Sequence, residues 1–481
     1  MPSTRCISFA TLGLHAWLVT AAPKSSSSLN IPSTLTTTAP VSTVHPSTVQ
    51  ASSSLSAATT VSSSPSQPTG SSSAALQSCA ARLNGQVPSP TPPDFDFSGN
   101  VRRYFIAAEE EEWDYVLTGW DNWLGVPIEL SPRYQALQLP SSRWLKALYR
   151  GYTDETFTQR SEQPLWQGTQ GPTIRSEVGD LIEILFLNNL TKNYATMHSM
   201  GLEYTKVDGE GADYPNNTIP GANVTLPEGG AVPPTNGNPG IAPAVAWSTS
   251  GWSTPPRVPT TARHPGYHSY VALQQDSNAG LIGPQITYAQ GAMDRTMATY
   301  REFTLLYMIY NEADSWLSGE NQALLHGGSS DPPSAFAGPD TPGSANATGA
   351  GTYGINTTAL ATLWSGNQSY PAAPSFYTLS GYLFANNPTY EMCLGDPVIW
   401  YVNAYGAASH VFHMHGNGFT YEGNRRYAVS LNDGVGKTLV MNATGAGKWQ
   451  VLCHVDNHHS MGMVSDYQVY YEGQCPLAKL G

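Results

Sequence analysis

The stretch from His410 to Met463 constrains this 481-residue chain more than any other. It opens with HVFHMHGNG (410–418) and closes with LCHVDNHHSMGM (452–463). Cys453, His458 and Met463 stand at Cys-x4-His-x4-Met spacing, and His410 lies one strand pair upstream. Two imidazoles, a thiolate and a weak axial thioether are the ligand set of a blue-copper centre. Thiolate and thioether are soft donors, and imidazole suits both copper oxidation states. A lone histidine in a β domain is most often structural or solvated, but four ligand types at matching spacing reverse that weighting. Three ligands on one short loop and a fourth on an upstream strand can hold an unusual geometry through a redox change.

The surrounding sequence reads as the required β framework. YTLSGYLF, VIWYVNAY, KTLVMNA, GKWQVLC and DYQVYYEG are strand-length segments separated by Gly, Asn and Pro, the pattern of an antiparallel sandwich. Upstream, VRRYFIAAEEEEWDYVL begins with a strand and continues into an acidic patch, Glu109 to Glu112, expected to be a solvated face. GPTIRSEVGDLIEILFLNNL reads as two strands around a turn at Glu177–Asp180. REFTLLYMIYNEADSW reads as a strand leading into a loop. Two Gly-rich insertions, about 209–265 and 319–370, read as long surface loops. No amphipathic helix of useful length stands out. The expected division is a signal segment over 1–22, a Ser/Thr/Pro-rich disordered stalk over 23–95, and β domains over 96–295 and 296–481.

The first 22 residues carry Arg5, the apolar run ISFATLGLHAWLVT and small residues Ala21 and Ala22, as a secretory signal does. From Pro23 the chain is mostly Ser, Thr, Pro and Ala, too polar to offset its ordering entropy and typical of an O-glycosylated stalk. Sequons at Asn189, Asn216, Asn223, Asn346, Asn356, Asn367 and Asn442 fit a secreted glycoprotein, extracellular or held at a cell wall. A net charge of −13 argues against nucleic acid. No other stretch is long and apolar enough to span a bilayer. Of five cysteines, Cys6 leaves with the signal and Cys453 is claimed by metal. Cys393 and Cys475 flank the C-terminal domain and are placed to form a disulfide, while Cys79 has no evident partner.

The segments KALYRGYTDETF, GPTIRSEVGD, HSMGLEY, NAGLIGPQ, REFTLLY, HVFHMHGN and GKWQVLCHVDNHHSMGM, with the terminal Cys475, resemble the ceruloplasmin-type multicopper oxidases. The resemblance covers most of 100–310 and 375–475. It implies an all-β chain of two cupredoxin-like Greek-key sandwich domains. It implies a type 1 copper held by His410, Cys453, His458 and Met463, and a three-copper cluster that reduces dioxygen. Of the four His-x-His motifs the family uses for that cluster, this chain keeps His198, His268, His413, His415 and His454. Met200, Tyr270 and Leu452 stand where the family has histidine. By family roles, His198 and His413 hold the type 2 copper, and Cys453 with His454 forms the electron path between the centres.

Two functions follow from the resemblance. The first is a secreted copper oxidoreductase that oxidises a small reductant one electron at a time, with dioxygen as acceptor. The alternative is a blue-copper binding or electron-transfer protein whose cluster has decayed. The carboxylate and histidine ligands of iron-oxidising members would fall near Ala372, Tyr377 and Asn457, so the expectation is laccase-like rather than ferroxidase. One motif pair per domain fits a homotrimer, with each cluster shared between neighbouring copies.

Overall fold

The computed structural model describes residues 76–77, 80–87, 91, 95–137, 141–204, 245–252, 266–325 and 374–480, with the backbone alone at 136, 245–252 and 325. The expected signal segment, nearly all of the stalk, Cys79 and most of both insertions lie outside the described residues. Eleven strands precede residue 290: β1 (Val101–Asp114), β2 (Trp120–Asp121), β3 (Val126–Pro127), β4 (Arg143–Tyr152), β5 (Ile174–Glu177), β6 (Leu181–Asn188), β7 (His198–Ser199), β8 (Glu203–Tyr204), β9 (Val245–Trp252), β10 (Gly266–His268) and β11 (Ile282–Tyr288). Eleven follow: β12 (Arg301–Asn311), β13 (Ser375–Leu379), β14 (Tyr390–Cys393), β15 (Pro397–Tyr405), β16 (His410–Met414), β17 (Phe419–Tyr421), β18 (Asn424–Arg426), β19 (Ala428–Leu431), β20 (Val435–Asn442), β21 (Gly447–Cys453) and β22 (Val464–Tyr470).

The two halves repeat one plan. Sheets ordered β4-β1-β6-β9-β8 and β5-β11-β10-β7 form the first; β13-β12-β15-β20-β17-β18 and β14-β22-β21-β16-β19 form the second. In each half the long first strand pairs antiparallel on one side (β1 with β4, β12 with β13) and parallel on the other (β1 with β6, β12 with β15). In each, the opposite sheet carries a parallel pair, β5 with β11 and β14 with β22. This shared pairing plan is what an internal duplication would leave.

Each half has its own core. Phe303, Trp400, Phe412, Val451 and Tyr467 centre the second, and Ile106, Tyr149, Ile182, Phe186 and Leu281 the first. A third cluster joins them, where Tyr115 stacks on Phe376 with ring centroids 4.0 Å apart. Lys146 and Glu312 form a fully buried ion pair at 2.7 Å across the same seam. Cys393 and Cys475 are disulfide-bonded, tying β14 to the C-terminal segment.

Three expectations are revised. The acidic patch lies inside β1 and is no simple solvated face. Glu109 is 3% exposed and bonds Tyr152 and Arg160, while Glu111 pairs with Arg150 at 2.9 Å. Arginines from β4 and the segment after it pair with Glu109, Glu111 and Glu112, while Glu110 accepts from Thr191. Within the first insertion, Val245–Trp252 is a strand antiparallel to β6 and not loop. The second insertion begins with a helix, Ser318–Leu325.

Candidate metal centre

β16 and β21 are adjacent antiparallel strands, with Phe412 opposite Cys453. That register puts His410, the first residue of β16, beside Cys453, the last of β21. The chain then turns through a short helix, Asp456–Ser460, which carries His458, and re-enters the sheet at Val464. Two backbone bonds close the loop: Cys453 N–H donates to the Met463 carbonyl and Met463 N–H to the His458 carbonyl, both at 3.0 Å.

The donor atoms converge. His458 Nδ1 lies 3.5 Å and His410 Nδ1 3.7 Å from Cys453 Sγ. All three donors fall within 4.8 Å of one another. Three donors in a plane about a metal with bonds of 2.0–2.3 Å would sit about 3.6 Å apart, so the triangle has the size of a trigonal site. Cys453 and Met463 are wholly buried, His410 is 1% exposed and His458 is 6% exposed.

The electrostatics favour a metal over a proton. Burial, reinforced by the neighbouring His458, pushes His410 down to about 4, and burial lowers His458 as well. Both imidazoles are therefore held neutral, with lone pairs available. Burial raises the Cys453 thiol, partly offset by the Val411 and Val455 backbone N–H groups. A cation is what would turn that thiol into a thiolate. Val411 N–H points at Sγ from 3.5 Å. Behind the site, the Tyr307 ring packs 5.6 Å from His410 and its hydroxyl donates to the Leu452 carbonyl at 2.9 Å.

The other five histidines expected as ligands gather into two sets. His413 rings contact His415 and His454, each at 5.1 Å. His415 and His454 are exposed. His198 and His268 face each other at 5.2 Å, with Tyr270 completing a triangle at 5.0 and 5.9 Å. Among the described residues, no ring contact joins His268 to His413, His415 or His454.

Second partners orient these rings. His413 Nδ1 lies 2.8 Å from the Tyr427 carbonyl, and His268 Nδ1 lies 2.8 Å from the Ser269 carbonyl. A carbonyl only accepts, so each Nδ1 carries a proton, leaving Nε2 as the nitrogen able to ligate. This is how ligating histidines are usually held. Of the three non-histidine positions, Leu452 is buried, whereas Met200 and Tyr270 are 44% and 38% exposed. The Tyr405 hydroxyl donates to Met200 Sδ at 3.2 Å.

Residues 355–472 match the multicopper oxidase family model. Hephaestin of Mus musculus is 28% identical over 396 residues, covering 79% of this chain and 30% of that protein. Ferroxidase HEPHL1 of Homo sapiens is 29% identical over 381 residues, covering 77% and 29%. Ceruloplasmin of Rattus norvegicus is 27% identical over 400 residues, covering 79% and 33%. Residues 355–472 thus match a multicopper oxidase domain, and most of the chain is similar to proteins of the ceruloplasmin type. The chain spans about a third of the length of these relatives. The multicopper oxidase match implies copper, and the His-Cys-His triangle offers soft sulfur and borderline nitrogen donors suited to it.

The sequence singled out every side chain of the triangle. It did not single out Tyr307, which backs His410, nor the loop Tyr115–Arg133, whose Trp123 reaches the residue after His458. Both contacts depend on tertiary packing and leave no local signal.

Proposed function

We propose that this chain is a secreted copper oxidoreductase that takes single electrons from a small organic reductant. The observation that carries the reading is the convergence of two neutral imidazole Nδ1 atoms on one buried thiol. Copper bound there would supply a one-electron acceptor. His410, Cys453 and His458 would hold it, with the buried Met463 as a further soft donor. Cys453 and His454 are consecutive, so a covalent path leads from the sulfur to the imidazole set on the opposite side of the strand end. We assign these two as the catalytic pair.

Dioxygen reduction belongs to the second histidine group. His413, His415 and His454 open to the surface, and His198 with His268 form a separate pair. A homotrimer that sets one copy's pair against its neighbour's triad completes the cluster. An organic reductant is favoured over ferrous iron because Asn457 offers no carboxylate and Tyr377 places a ring 5.3 Å from His458. Ala372 lies outside the described residues. Export is supported by the Cys393–Cys475 disulfide, which persists in oxidising compartments, and by the exposed sequon at Asn442. Among the described residues, no helix is long and apolar enough to cross a membrane.

Leu452 favours a second reading, electron transfer without an oxygen site, since a buried aliphatic side chain cannot ligate. Anaerobic mixing of the copper-loaded protein with a phenol tests the main reading: bleaching of its blue band supports electron uptake, and no bleaching opposes it. Oxygen uptake by the triple variant Met200→His/Tyr270→His/Leu452→His separates the two readings. A large gain supports the decayed cluster, and a modest change supports a working one.

A further inference from the structure

The loop from Tyr115 to Arg133 belongs to the first half, yet it is fastened over the metal loop of the second. Asn122 N–H donates to the Phe384 carbonyl at 3.1 Å, and its side-chain amide donates to the Ala385 carbonyl at 2.9 Å. Phe384 and Ala385 in turn donate their N–H groups to the carbonyls of Gly462 and Val464, at 2.8 and 3.0 Å. These bonds bring the Trp123 ring to 4.1 Å from the ring of His459, edge to face. His459 is the residue after His458, so this indole packs on the residue next in sequence to a metal ligand.

The loop is built to hold that ring still. Asp121 is fully buried, and its carboxylate accepts from the Trp123 and Leu124 N–H groups at 3.2 and 3.0 Å. It also accepts from the Ser131 hydroxyl at 2.7 Å and pairs with Arg133 at 2.6 Å. The Arg133 guanidinium carbon lies over the indole, 4.0 Å from its centroid. Spending a buried ion pair on a surface loop is costly unless the geometry it fixes has a use.

What the loop shows outward is apolar: Leu117, Trp120, Trp123 and Leu124 are 56, 45, 36 and 46% exposed. Arg133 is paired with Asp121, yet among the charges it acts most strongly on His459. The exposed Asp456 is the carboxylate that acts on His459. A face of rings and aliphatic carbon suits a flat, uncharged aromatic.

We propose that Trp123 is the specificity-determining contact for an electron-rich, neutral aromatic reductant such as a phenol, which docks on the indole beside His459. The proposal deepens the oxidoreductase reading and rests on it for its meaning, but its binding arm needs no turnover. The probe is 4-cyanophenol, a phenol too electron-poor to be oxidised readily, titrated by calorimetry into the full-length copper-loaded protein.

Ring-on-ring contacts of this kind set the scale, so Trp123→Ala should weaken binding about fivefold, with Trp123→Phe in between. Leu130→Ser, at an exposed position outside the contact, controls for surface change. The kinetic arm compares kcat/KM for an oxidisable phenol, ferrous iron and hexacyanoferrate(II). The proposal expects the phenol to suffer several-fold more than either inorganic reductant in Trp123→Ala. Unchanged blue absorption and copper content confirm an intact site. Equal affinity in Trp123→Ala and the parent, or equal losses for all three reductants, overturns the proposal. A parent protein that binds the probe through Trp123 but oxidises nothing would instead overturn the oxidoreductase reading.

Discussion

Replacing Lys146 by Met tests how the two halves are joined. The Lys146 ammonium is fully buried and faces the Glu312 carboxylate at 2.7 Å, the Asn278 carbonyl, and the Tyr310 ring at 4.1 Å. Methionine matches its volume but leaves Glu312 with only the Tyr115 hydroxyl, 2.9 Å away. The other carboxylate oxygen already has no partner among the described residues. Breaking one side of a buried pair costs about 3–5 kcal/mol, because the remaining charge is uncompensated. Removing both charges costs far less, so Lys146→Met/Glu312→Gln should recover all but about 1 kcal/mol. Urea unfolding with the copper-free protein, read as midpoints at constant slope, measures Lys146→Met, Glu312→Gln and the double variant. A single variant that loses under about 1 kcal/mol would refute the reasoning. So would a double variant that falls by the sum of two singles.

Three further outcomes follow. Burial holds His268 and His410 near 4, well below the unfolded value of about 6.5, so the folded state favours the neutral rings. Their contribution is full above pH 6.5 and is lost as pH falls from there towards 4, by up to about 3 kcal/mol each. His268→Gln should flatten the stability–pH slope of the copper-free protein in that window, and an unchanged slope would count against it. Gly416 has φ +71°, and a Cβ there would lie 2.4 Å from the Trp449 ring. Gly416→Ala should therefore cost about 2 kcal/mol in thermal melting, and an unshifted melt would show that the turn next to His415 is free to adjust. Cys393 and Cys475 are 82 residues apart in sequence. Replacing both by Ala should destabilise the protein by about 4 kcal/mol on the loop-entropy model, and a loss under about 1 kcal/mol would contradict that model here.

The metal centre was legible because its spacing is local. Cys453, His458 and Met463 lie on a single turn, and GKWQVLC had to be a strand for that turn to begin at Cys453. The strands of the second half were readable for the same reason, since alternation and turn residues lie within a few positions of each other. What escaped depends on register and on long-range partners. Four consecutive glutamates look solvated until β4 lies opposite β1, with Ala147 facing Glu110 and Lys146 facing Glu111. Lys146 itself reads as a surface lysine until Glu312 arrives from the other half. Val245–Trp252 is a strand because β6 offers it an edge, despite its Ser, Thr and Gly content. Trp123 and His459 meet only once both halves are folded, and nothing local announces it.

The central claim is that His410, Cys453, His458 and Met463 hold a type 1 copper. The most direct test is the visible and EPR spectrum of the purified, copper-loaded protein, measured with its copper content beside Cys453→Ser. The account predicts stoichiometric copper with an intense blue band and a type 1 signal, both lost in the serine variant. A copper-loaded protein without blue colour, or a blue band that survives the loss of the thiol, would contradict it.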